Sequence, residues 1–171
     1  MKLVVVGLGN PVMSDDSVGI KTVRELAKKL PANSEVIIKE AYAGGLRLMD
    51  ELIGYEQAII VDSIVTDKYK PGTIIKSDLQ TSFISRNLSC SHDLDLISAL
   101  ELARISGLKC PEKISVWAIE AKDIWTFSEM LTAQVSQAVP LVVQEIEQVI
   151  DGLVGNLTNM EPVPGTNRRQ G

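Results

Sequence analysis

The sequence predicts an α/β fold: a mostly parallel sheet with helices over both faces. Three observations carry that expectation. Short apolar, β-branched runs such as residues 2–6 and QAIIVD end at glycine or aspartate, as buried strands do. Segments of helical periodicity lie between them, and strands that alternate with helices pack as parallel sheets covered on both sides. The one exception is the gap between the third and fourth runs. It is too short for a helical crossover and predicts an antiparallel fourth strand.

In chain order, residues 2–6 read as the first strand. Ser14 or Asp15 would cap a helix running to about Leu30, with Val18, Val23, Leu26 and Leu30 as its apolar stripe and Pro31 as its stop. Residues 35–39 read as the second strand, and GGLRLMDELIG as a loop and short helix behind it. QAIIVD is the third strand, ending at Asp62, and PGTIIKSD is a turn followed by the fourth. HDLDLISALELARISGL is a helix stopped by Gly107, and KISVWAI is the fifth strand. The last helix, LTAQVSQAVPLVVQEIEQVIDGLV, places Val135, Val139, Val142, Ile146 and Val149 along one side. Pro140 lies within it and should kink it, because its ring removes a hydrogen bond and crowds the preceding turn. From Gly155 the chain lacks the apolar content that offsets ordering entropy and reads as a flexible tail. With no internal repeat and no linker, residues 1–154 read as a single domain and 155–171 as that tail.

Bulk composition narrows the function classes. A chain of 171 residues suits one domain with a sizeable core. A net charge of -5 gives no footprint for general nucleic-acid binding. No apolar stretch approaches the roughly 20 residues that span a bilayer, and the opening MKLVVVGLGNP is too short for a signal h-region. Cys90 and Cys110 make neither a disulfide framework nor a CxxC metal site, so a reducing, cytoplasmic setting is expected. A monomer is compatible with all of this. His92 is the single histidine, so any chemistry that needs imidazole must use it.

The stretch VVVGLGNPVMSDDSVGI joins the first strand to a glycine loop and then to two carboxylates. A dinucleotide fingerprint needs a third glycine where the helix starts, and Val12 holds that place. There is no Gly-Lys-Ser/Thr of a phosphate loop, and Asp15 and Asp16 would oppose a phosphate at the helix N-terminus. First-turn acids are common in helices, but two other features lend these weight. Asp62 stands at the carboxyl end of an apolar strand, where ligands bind in open α/β sheets. If the first and third strands are neighbours, Asp62 and the loop holding Asp16 meet there. His92 in SCSHDLDL opens a helix, where the positive dipole end keeps imidazole neutral, the form that binds metal. Cys90 beside it is a minor candidate as nucleophile or soft ligand. Two carboxylates and one imidazole suit a divalent ion and leave positions open for water or substrate.

GLGNPVMSDDSVG, then EAYAGG, IIVDSIV, KPGTI, SHDLDL and a late AVP resemble, in order from Met1 to about Leu153, the hydrogenase maturation endopeptidases, the nickel-dependent proteases that process the large subunit of [NiFe] hydrogenases. The resemblance implies a three-layer α/β/α fold of the phosphorylase/hydrolase-like kind, with a five-stranded mixed sheet whose fourth strand is antiparallel. It implies an endopeptidase that removes a C-terminal extension from the [NiFe] hydrogenase large-subunit precursor after nickel insertion. The family's three metal ligands fall on Asp16, Asp62 and His92. Many members carry glutamate at the first position, so Asp16 is one methylene shorter. Glu40 matches an acidic position near the cleft and Glu120 ends the fifth strand, and both are candidates for positioning substrate.

By the same resemblance, Ni²⁺ arrives within the precursor, so that cleavage follows correct loading. Either the ion lowers the pKa of bound water, or Asp16 or Asp62 acts as general base while the ion positions the peptide. HExxH and GxSxG layouts are absent. The competing readings are a non-catalytic nickel-protein chaperone and a flavodoxin-like nucleotide-binding module.

Overall fold

In the computed structural model of the chain, which describes residues 2–31, 34–79 and 95–158, the apolar runs become β1 (Leu3–Leu8), β2 (Val36–Ala41), β3 (Gln57–Ile64), β4 (Ile74–Asp78) and β5 (Lys113–Glu120). They form one sheet in the order β2-β1-β3-β5-β4. β1 runs parallel to both β2 and β3, and β3 parallel to β5. β4 is antiparallel to β5, as the short connection requires. The helices are α1 (Val18–Lys29), α2 (Gly45–Leu52), α3 (Leu96–Ile105) and α4 (Ala133–Thr158), with a 3-10 turn at Ser14–Ser17 ahead of α1.

Strand alternation sorts the core into two halves. Leu3, Val5, Ile59, Val61, Trp117 and Ile119 face α1 and α4, where Val18, Val23, Leu26, Val135, Val142 and Ile146 pack on them. Val4, Val6, Leu8, Ala58, Ile60, Ile114 and Val116 face α2 and α3, under Leu48, Leu52, Leu96 and Leu100. Strands buried on both faces read as continuous apolar runs, the signal the sequence carries.

Local chemistry sets the element ends. Leu30 turns extended before Pro31 and closes α1, whose last turn places Lys28 and Lys29 at the negative end of the helix. Asp95 caps α3 by accepting from the Ser98 amide at 3.1 Å, and Gly107 follows the helix at a φ of 79°. Several expected boundaries shift. β1 extends to Leu8 through its parallel pairing with β2, and β3 to Ile64 through its parallel pairing with β5. Asp62 is therefore inside β3 rather than its last residue. The turn that holds Ser14 and Asp15 leaves neither as a side-chain cap of α1. α4 is continuous through Pro140 and runs past the expected boundary at Gly155 to Thr158. Along α4 the core takes Val143 and Ile150 while Val149 faces outward, since burial of Val143 rotates the apolar stripe away from Val149. No described helix is long and apolar enough to cross a membrane.

Because β1 connects through α1 to β2 on one side, while β3 lies on its other side, the chain order reverses between β1 and β3. α1 and α2 pack on opposite faces, so the switch point, where open α/β sheets have their ligand crevice, lies outside the carboxyl ends of these two strands.

Candidate active site

β3 brings one carboxylate to this crevice. Asp62 follows Ala58 and Ile60 on the α2–α3 face and has no exposed surface. Its Oδ1 accepts the Ser63 amide at 2.8 Å. Ser63 points the other way along the strand, and its hydroxyl donates to Asp16 Oδ1 at 3.1 Å. The serine thus joins both acids, one through its backbone and one through its side chain. The expectation that the third strand and the glycine loop meet at the switch point is met by this linkage.

The loop is built to hold Asp16. Gly9 has a φ of 141°, and a Cβ there would collide with the Asp16 carbonyl oxygen. Asp16 Oδ2 accepts the Asn10 amide at 2.9 Å. Asn10 Oδ1 accepts the Val12 amide at 3.2 Å, and the Gly9 amide donates to the Ala41 carbonyl at 3.1 Å. The amides that a phosphate cradle would offer are therefore spent on the loop's own acceptors. Gly19 lets α1 approach the sheet closely, since a Cβ would meet the carbonyls of Leu8 and Val61. The glycines serve close packing and a turn, and half-buried Asp16 is what they present.

Asp15 has a different fate, one the sequence reading missed. It has no exposed surface. Its Oδ2 accepts the amides of Lys122 and Asp123, both at 2.9 Å, and the Thr132 hydroxyl at 2.9 Å. Its Oδ1 accepts the Thr132 amide at 2.7 Å. Asp15 ties the loop after β1 to the loop between β5 and α4. Ser14 adds a bond to the Met130 carbonyl at 3.2 Å, and the Ser128 amide donates to the Val12 carbonyl at 3.0 Å. The partners lie more than a hundred residues away, so no local pattern signals them.

The two positioning candidates have partners as well. Glu40 forms a bidentate pair with Arg24 of α1, at 2.8 Å to each carboxylate oxygen, and accepts the Tyr42 hydroxyl at 2.8 Å. The Arg24 hydrogen bonds hold its carboxyl below the usual carboxylate range, against the opposing effect of burial, and Tyr42 adds to the lowering. Glu120 is buried and accepts the Thr66 amide and hydroxyl at 2.8 Å and the Asp67 amide at 3.0 Å, which anchors the loop leaving β3. That loop contains Asp67 at a φ of 58°, a backbone region that few non-glycine residues adopt.

His92 and Cys90 lie outside the described residues. The described part of α3 begins at Leu96, after an extended Asp95, so this helix does not open at His92. Among the described residues no group of three His, Cys, Asp or Glu side chains is arranged to hold a metal ion. The crevice contributes a carboxylate pair, linked through Ser63.

The chain as a whole is similar to known proteins. The family model for "Hydrogenase maturation protease" matches residues 20–149. The Hydrogenase 2 maturation protease of Escherichia coli (strain K12) is 28% identical over 117 residues, covering 68% of this chain and 71% of the relative. The solved structure of the hydrogenase maturating endopeptidase HybD from E. coli aligns with a TM-score of 0.73 at 23% identity, over 90% of this chain and 94% of that one. The [NiFe] hydrogenase maturation protease HybD from Thermococcus kodakarensis aligns with a TM-score of 0.64 at 24% identity, over 88% of this chain and 99% of that one.

Proposed function

Because this chain belongs to the hydrogenase maturation protease family, we propose that it removes a C-terminal extension from a [NiFe] hydrogenase large-subunit precursor after nickel insertion, with Asp16, Asp62 and His92 recognising the metal carried by that precursor. The observation that carries the reading is the Ser63 linkage, which holds two carboxylates from distant parts of the chain at one switch point. Carboxylate oxygens with one imidazole suit a divalent first-row ion, and three protein donors leave positions for the precursor's own ligands. The donor set therefore fits nickel delivered as part of the substrate. When present, the ion supplies Lewis acidity and a template for the scissile peptide.

The chain's own groups divide the remaining work. Asp62, without exposed surface and held by the Ser63 amide, is a carboxyl group of fixed position in the crevice wall. Asp16 is half-buried, so it reaches solvent while Asn10 and Ser63 fix its plane. We assign Asp16 as the group that takes a proton from the attacking water and returns it to the leaving amide nitrogen. Recognition through the metal makes cleavage conditional on loading, because an empty precursor lacks the contact that the three side chains complete.

The test uses purified protein and nickel-loaded precursor. Wild type cleaves it, and His92→Ala loses cleavage by at least about a hundredfold, with an unchanged far-UV circular dichroism spectrum. Full cleavage by His92→Ala would remove the metal-recognition reading.

A further inference from the structure

The loop between β5 and α4 carries Trp125, Phe127 and Met130, which are 69%, 80% and 77% exposed. Three large apolar side chains within six residues are turned to solvent, while nearby Leu131 is half-buried against the core. The loop is held in place. The Asp123 carboxylate accepts the Trp125 and Thr126 amides at 3.0 Å each, and the Ser128 hydroxyl accepts the Met130 amide at 3.0 Å. Asp15 fastens both ends through Lys122, Asp123 and Thr132. The side chains are thus displayed on fixed backbone, and little loop entropy remains to be lost on binding.

The loop is also continuous with the crevice. Met13, three residues before Asp16, bridges Phe127 and Ser128 through its backbone. The loop therefore adjoins the turn that carries Asp16. Aromatic side chains and methionine are enriched in protein interfaces, and a desolvated tryptophan is a frequent anchor.

We propose that Trp125, Phe127 and Met130 form the surface on which the precursor docks, by contact with its apolar side chains beside the scissile peptide. This inference rests on the endopeptidase reading above and adds where substrate affinity comes from. Docking of this kind contributes equally to ground-state and transition-state binding, so its loss raises KM and leaves kcat in place.

The experiment is steady-state cleavage of nickel-loaded precursor by wild type, Trp125→Ser and the triple variant Trp125→Ser/Phe127→Ser/Met130→Ser, with sedimentation to report oligomeric state. The expected result is a KM raised about tenfold or more in the triple variant, a smaller rise in the single variant, kcat within about twofold of wild type and an unchanged melting temperature. A wild-type KM in the triple variant would overturn the docking surface and leave the protease reading standing. A wild-type dimer that the triple variant converts to monomer with no change in KM would also overturn it, in favour of self-association. Absence of cleavage by wild type itself would overturn the endopeptidase reading, and this inference with it.

Discussion

Asp15 and Asp16 are neighbours in the chain but end in regions of different character. Asp15 lies in a seam between two loops, has no exposed surface and accepts four hydrogen bonds from Lys122, Asp123 and Thr132. Asp16 lies at the crevice, is half-buried and is held by the Asn10 amide and the Ser63 hydroxyl. In a 3-10 turn successive side chains point about 120° apart, so adjacent acids cannot share one environment. The difference teaches that charge at a helix start is not one feature. One acid is saturated by three amides and a hydroxyl and holds structure, and the other keeps access to solvent.

The contrast can be broken at several points. The largest effect is expected at the crevice: Asp62→Asn keeps the shape but removes charge, and cleavage of nickel-loaded precursor should fall by about a thousandfold, with a urea midpoint near that of wild type. A variant that cleaves normally would take Asp62 out of the site. In the seam, Asp15→Ala leaves the half-buried amides of Lys122, Asp123 and Thr132 without their shared acceptor. It should lower unfolding stability by about 3 kcal/mol or more, read by urea denaturation. Ser63→Ala touches only the hydroxyl that orients Asp16, and should cost about 1 kcal/mol and reduce kcat by about tenfold or less.

The smallest effect is expected at the Arg24–Glu40 pair, whose side chains are 50% and 26% exposed. The Glu40 pKa lies below its usual 4.5 when folded. Its contribution is therefore present above that value and lost as pH falls through the lowered folded pKa. Glu40→Gln should be less stable than wild type near neutral pH by no more than about 1 kcal/mol. Denaturant titrations should show that gap closing as pH drops below 4.5, the usual value. A gap that widens on acidification would contradict the assigned pairing.

Much of this was legible in the sequence because it rests on local pattern. The buried strands, the amphipathic α1 and the antiparallel β4 follow from periodicity and loop length, and Asp62 was marked by the apolar run before it. β1 reaches Leu8 because Gly7 is a strand residue, although a glycine after an apolar run reads as a stop. The role of Ser63 depends on strand alternation combined with the fold of a loop 47 residues earlier. The division between Asp15 and Asp16 depends on partners more than a hundred residues downstream. Periodicity carries the architecture, whereas the assignment of adjacent polar residues requires tertiary contacts that no short window contains.

Asp15→Ala and Asp16→Asn, compared in one denaturation series and one cleavage assay on nickel-loaded precursor, test the central division most directly. The account predicts that Asp16→Asn unfolds like wild type and does not cleave, while Asp15→Ala unfolds far more easily and still cleaves in proportion to its folded fraction. Wild-type cleavage by Asp16→Asn, or matching behaviour of the two variants in both measurements, would contradict it.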